Sequence, residues 1–115
     1  MRDNMGMYRG QRVDNGEWVF GQFCREEFLD DFKSYIVIDF EEFEGVEGSF
    51  HAVAHEVIPE TVGQFTGFTD KNGKDIYEGD ITLLGKVKRV VEYRDGKFIG
   101  WHNECEIISN IHEDE

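Results

Sequence analysis

The 115-residue sequence predicts a mainly β fold, and three observations carry that prediction. Turn dipeptides recur at Asn15-Gly16, Gly85-Lys86 and Asp95-Gly96, and each is flanked by residues of high strand propensity. Aromatics make up 14% of the chain, ten of them Phe, so these segments have large side chains to bury. Helical periodicity appears only briefly, over Arg25–Phe32. The predicted architecture is an N-terminal hairpin and sheet joined through residues 58–80 to a C-terminal small (SH3-like) barrel or bent sheet. At most one short helix belongs near residues 25–32.

Taken in order, Tyr8–Val13 and Glu17–Cys24 flank Asp14-Asn15-Gly16. Asn-Gly tolerates positive φ at both positions, so a hairpin is expected there. Arg25–Phe32 places Phe28, Leu29 and Phe32 on one side of a helical turn with carboxylates opposite; a short helix or an irregular acidic loop fits. Ser34–Phe40 is rich in β-branched and aromatic residues and reads as a strand. Glu41–Gly48 reads as a solvated connection, and Phe50–Ile58 as a strand pairing with the one before it.

Residues 58–80 hold the only proline, Pro59, which marks the entry to a strand carrying Val62, Phe65 and Phe68. Asp70-Lys71-Asn72-Gly73 then makes a turn, and Tyr77-Glu78-Gly79-Asp80 leads onward. Beyond it, Ile81–Leu84, Val87–Tyr93, Phe98–His102 and Glu106–Ile111 are short strands separated by Gly-containing turns, the pattern of a small barrel or bent sheet. By length the chain is one domain, 1–115, with a subdivision into an N-terminal β layer (1–75) and a small barrel (76–115).

Charge is the outlier in composition. Twenty-five acidic and twelve basic residues give a net charge of −13, which repels nucleic acid at long range. Cys24 and Cys105 match no CxxC or zinc-ribbon spacing and read as reduced thiols of a cytoplasmic protein. Met1–Gly6 has no apolar stretch of the signal-peptide kind, and no uncharged run approaches the ~18 residues of a membrane span.

Three motifs carry a family resemblance: Tyr8-Arg9-Gly10-x-Arg12-x-Asp14-x-Gly16-x-Trp18-Val19-x-Gly21, the run Ile58–Gly73, and Asp75-Ile76-Tyr77-Glu78-Gly79-Asp80. Together with the ending Glu106-Ile107-Ile108-x-Asn110-Ile111-His112-Glu113, they closely resemble the YopX family of phage and prophage proteins. The resemblance spans nearly the whole chain but leaves Arg25–Gly48 without a family motif. It implies a predominantly β fold, a phage or prophage origin in a bacterial host cell, and no established biochemical activity.

Candidate chemistry is sparse. Asp70, Asn72, Asp75, Glu78 and Asp80 invite a calcium reading, but the EF-hand template requires Gly where Asp75 stands. Turn chemistry explains the same residues, with Asp70 capping its own backbone. His51 with His55, and His102 with Cys105, offer zinc-type donors at unmatched spacing, so no metal and no cofactor is assigned. The serines Ser34, Ser49 and Ser109 sit in no nucleophile elbow, and the phosphate-cradling Gly patterns are absent. No catalytic residue is therefore assigned, and the protein is not expected to be an enzyme.

Five polar residues set among apolar ones are the candidate binding residues: Arg12, Glu60, Gln64, Thr66 and Asp80. Arg12 with Glu60 or Asp80 would form an ion pair organising the junction, or the same residues would line a groove. The functional expectation is a non-catalytic binding or accessory (host-takeover) factor with a protein partner. The alternative is a nucleic-acid-related role, as a DNA mimic or as a weak binder through Lys86-x-Lys88-Arg89, the latter disfavoured by net charge. Edge strands in a β protein this small also leave a homo-oligomer open.

Overall fold

The structure, a computed structural model, describes residues 7–29, 31–42, 47–48 and 50–113, with the side chains of residues 28, 40–42 and 50–52 outside the description. Among the described residues the fold is strands throughout, apart from a single 3-10 turn at Pro59–Thr61. The chain divides between Val62 and Gly63 into two compact units.

The first unit, Met7–Val62, is an antiparallel meander. Its strands are β1 (Tyr8–Gln11), β2 (Trp18–Phe28), β3 (Asp31–Glu42) and β4 (Phe50–Val57), in the order β4-β3-β2-β1. The turn expected at Asp14–Gly16 forms, with Gly16 at φ 75° and its N–H donating to the Arg12 carbonyl at 3.0 Å. The solvated connection expected over Glu41–Gly48 lies largely outside the described residues, although β3 itself reaches Glu42.

Strand β2 passes very close to β3. A Cβ on Gly21 would lie 2.1 Å from the Val37 carbonyl oxygen, so the approach requires glycine. The sheet curls until its two ends meet at one corner, where Arg12 bridges Val57 and the Ile58 N–H donates to the Gln11 carbonyl at 2.8 Å. Ile36 and Val57 are buried in consequence. Thr61 staples the same corner: its hydroxyl donates to the Ile58 carbonyl at 2.6 Å and accepts the Gln11 N–H at 2.9 Å.

The helical turn or acidic loop expected over Arg25–Phe32 is instead the end of the β2–β3 hairpin, with Arg25 opposite Ser34 and Phe28 opposite Asp31. A helix of eight residues has too few internal bonds to stand alone. Continuing the ladder pairs the same backbone groups and places Glu26 directly opposite Lys33. Leu29, in the two-residue loop, takes a positive φ of 58°.

The second unit, from Gly63 onward, is built from shorter pieces. β5 (Gly63–Thr69) pairs with β6 (Asp75–Tyr77); β7 (Asp80–Leu84) lies between β11 (Glu106–Asn110) and β8 (Val87–Val90); β9 (Glu92–Arg94) pairs with β10 (Lys97–Ile99). Of the two architectures expected here the bent-sheet version holds, because no barrel closes.

The single strand expected over Val87–Tyr93 breaks at Val91 for a specific reason. That residue is buried, its N–H donates to the Asp80 carbonyl and its carbonyl accepts the Gly79 N–H, both at 2.8 Å. It packs with Ile76 and Cys105 in a core flanked by Trp101 and Ile107. Trp101 in turn stacks on Phe68 with ring centroids 3.9 Å apart.

Candidate functional site

The five candidate binding residues divide between the units: Arg12 and Glu60 in the first, Gln64, Thr66 and Asp80 in the second. Arg12 forms an ion pair, but with a different carboxylate from those expected. Its Nε and Nη2 donate to the two Asp14 oxygens at 2.9 and 2.6 Å. Asp14 lies two residues away in the same turn, so holding it requires almost no loop closure. The hydrogen bond between them raises the Arg12 pKa and lowers that of Asp14. Glu60 is exposed in the first turn of the 3-10 segment.

In the second unit the side chains of Thr66 and Asp80 are tied to backbone, while Gln64 contributes its main-chain carbonyl. Thr66 is buried, donates to the Ile76 carbonyl at 2.8 Å and accepts the Phe68 N–H at 3.2 Å. Asp80 is 2% exposed and accepts the Tyr77 N–H at 2.7 Å. The Gln64 carbonyl accepts the Glu78 N–H at 2.9 Å. Beside it, a Cβ on Gly63 would lie 2.4 Å from the Glu78 carbonyl oxygen. Thr66 and Asp80 thus hold together the corner that joins β5, β6 and β7.

Asp70 extends the same logic. Its Oδ1 accepts the N–H groups of Asn72 at 2.8 Å and Lys74 at 2.9 Å, the capped turn expected from sequence. Its Oδ2 reaches the Ile107 N–H at 3.0 Å, a tie to β11 that sequence reading missed. Nothing local reveals a contact 37 residues away. Burial opposes the charge on Asp70, yet three N–H donors outweigh it and hold its pKa below the ordinary value. Both oxygens therefore face donors, which is the opposite of what a bound cation needs.

The zinc-type donors also separate. Cys105 is buried in the core beside Ile76 and Val91, while His102 Nδ1 accepts the Glu104 N–H at 3.0 Å. The His51 side chain lies outside the described residues. Among the described residues no group of three or more His, Cys, Asp or Glu side chains is placed to hold a metal ion.

Two surface features remain. On the first unit, the β2–β3 hairpin exposes Phe20, Phe23, Ile38, Phe32 and, at its tip, Leu29, which is 89% exposed. The Arg25 guanidinium lies 4.6 Å over the Phe32 ring, and Glu26, Glu27 and Asp31 surround the tip. On the second unit, a cleft of about 530 Å³ lies beside β8 and the β9–β10 hairpin, lined by Lys88, Arg89, Val90, Glu92, Arg94, Ile99 and Gly100. Sequence reading found Lys88 and Arg89 but not Arg94, because only the turn at Asp95-Gly96 brings the hairpin back. No helix among the described residues is long and apolar enough to cross a membrane.

Fold and surface together define a mainly β protein of antiparallel sheets in which Thr66, Asp70 and Asp80 serve the protein's own backbone. The chain belongs to the YopX family: the family model, described as YopX protein, matches residues 7–115. Among solved structures it is similar to the crystal structure of protein EF1440 from Enterococcus faecalis, with 22% identity, a TM-score of 0.59 and 95% of each chain covered. That likeness shows the fold. No curated protein matches.

Proposed function

We propose that the protein is a non-catalytic binding factor whose partner is another protein, and that the β2–β3 hairpin makes the contact. The observation that carries this reading is the exposure of two large apolar side chains at the hairpin end, Leu29 at the tip and Phe32, which is 52% exposed, close behind it. Exposed apolar side chains set beside charged ones are what protein interfaces use, with aromatics as anchors. The carboxylates of Asp70 and Asp80 accept backbone N–H groups, and this favours binding over acid–base chemistry.

The family resemblance extends the reading to a phage or prophage accessory factor meeting a host protein in the bacterial cytoplasm. A photo-crosslinking residue at position 32 tests it in infected or prophage-bearing cells. Reproducible crosslinks to one protein, lost in Leu29→Asp but present when the crosslinker stands at position 32 of an otherwise unchanged chain, support the proposal. Crosslinks insensitive to Leu29→Asp would overturn it.

A further inference from the structure

Charge in this chain is segregated, and the segregation falls on the cleft in the second unit. Five of the twelve cations lie between Lys86 and Lys97, where only Glu92 and Asp95 oppose them. The rest of the chain carries 23 acidic and seven basic residues, for a net charge of −13 overall. Within the cleft, Arg94 Nη2 donates to Glu92 Oε2 at 3.1 Å in an exposed pair. Among the described residues neither Lys88 nor Arg89 has an ion-pair partner. All four residues of β8 are exposed.

We infer that this cleft binds the phosphodiester backbone of single-stranded nucleic acid, a site separate from the hairpin proposed for the protein partner. Its volume of about 530 Å³ suits one nucleotide unit at a time. The guanidinium forks of Arg89 and Arg94 match phosphate oxygens bidentately, with Val90 and Ile99 lining the same cleft.

Electrostatics selects one strand over two. A duplex presents one charge per about 1.7 Å of axis against about 3.4 Å for a single strand, so it meets roughly twice the repulsion from the acidic remainder. That repulsion is screened beyond about 8 Å at physiological salt, while cations in direct contact with phosphate keep most of their attraction.

The test is fluorescence anisotropy with a labelled oligothymidylate of about 12 nucleotides, titrated with the whole protein from about 50 to 200 mM salt. Engaging three phosphates gives a slope of log K against log salt near −2. Arg89→Gln/Arg94→Gln should weaken binding about tenfold or more and flatten that slope by about 1.4. Glu92→Gln should tighten it severalfold. Lys33→Gln/Lys74→Gln, which removes the same charge elsewhere, should leave it within about twofold. Circular dichroism confirms that each variant folds, as exposed positions allow.

Failure to bind at the lowest salt, an equal loss in both double variants, or a duplex binding as tightly as the single strand would each overturn the inference. So would binding of free thymidine monophosphate alone. None of these results bears on the hairpin, whose partner is read by Leu29→Asp.

Discussion

The two units solve the same problem, pairing every buried backbone group, by different means. In Met7–Val62 the strands are long: β2 runs 11 residues and β3 runs 12, so most N–H and carbonyl groups pair along the ladder. In the second unit β6, β9 and β10 have three residues each, and side chains take over what the ladder cannot reach. Asp70, Asp80, Thr66 and Thr82 each bond to main chain, Thr82 through its hydroxyl to the Gly100 carbonyl at 2.7 Å. Long strands free their side chains for the surface, and short ones conscript their polar residues into structure. That difference explains why the side chains of Thr66 and Asp80, two of the five candidate binding residues, have structural roles in the second unit.

The most damaging change should be Asp80→Ala. It strands the buried Tyr77 N–H at the β6–β7 corner and should remove about 3 kcal/mol from the stability of the second unit. Urea denaturation in a Trp18→Phe background, where Trp101 reports, measures that loss. Gly21→Ala comes next, at about 2 kcal/mol, because the new Cβ drives Val37 out of register. Its effect should appear in a Trp101→Phe background, where Trp18 reports on the first unit.

Asp70 predicts an acid limb. Its carboxyl pKa is lowered in the folded state, so the stability it contributes is full above the ordinary carboxylate value and is lost as pH falls through the folded one. Stability of the second unit should therefore decline below about pH 4, and Asp70→Asn should be weaker at neutral pH and flatter across that range. Equal slopes for the two proteins would remove Asp70 as the cause.

Thiol chemistry sharpens the same contrast at smaller cost. Cys24 is exposed and Cys105 buried, so a thiol reagent should label the first at once and the second only as the Gly63-onward unit opens. The smallest expected effect is a gain. Leu29 holds φ 58° with its side chain in solvent, and Leu29→Gly should raise the stability of the first unit, measured by urea denaturation, by about 0.5–1 kcal/mol.

Much of this was legible in the residues alone. Asn15-Gly16 and Asp95-Gly96 declare their turns because glycine takes positive φ freely, as Gly16 and Gly96 both do. The β-branched run of β3 declares a strand, and Asp70 to Gly73 a capped turn. These are local preferences, written within a few neighbouring residues.

Tertiary structure decided the rest, where the competing options lay far apart in sequence. Phe28, Leu29 and Phe32 suit a helix until β3 offers a ladder; Val91 is an ordinary strand residue until residues 79–80 claim its backbone. Arg12 had several carboxylates to choose from, and the turn it sits in delivered Asp14. Asp70 reached Ile107, and Arg94 came round to join Arg89 in one cleft. Sequence determined which segments extend and where they turn; closing the chain on itself determined which polar groups were left over to meet anything else.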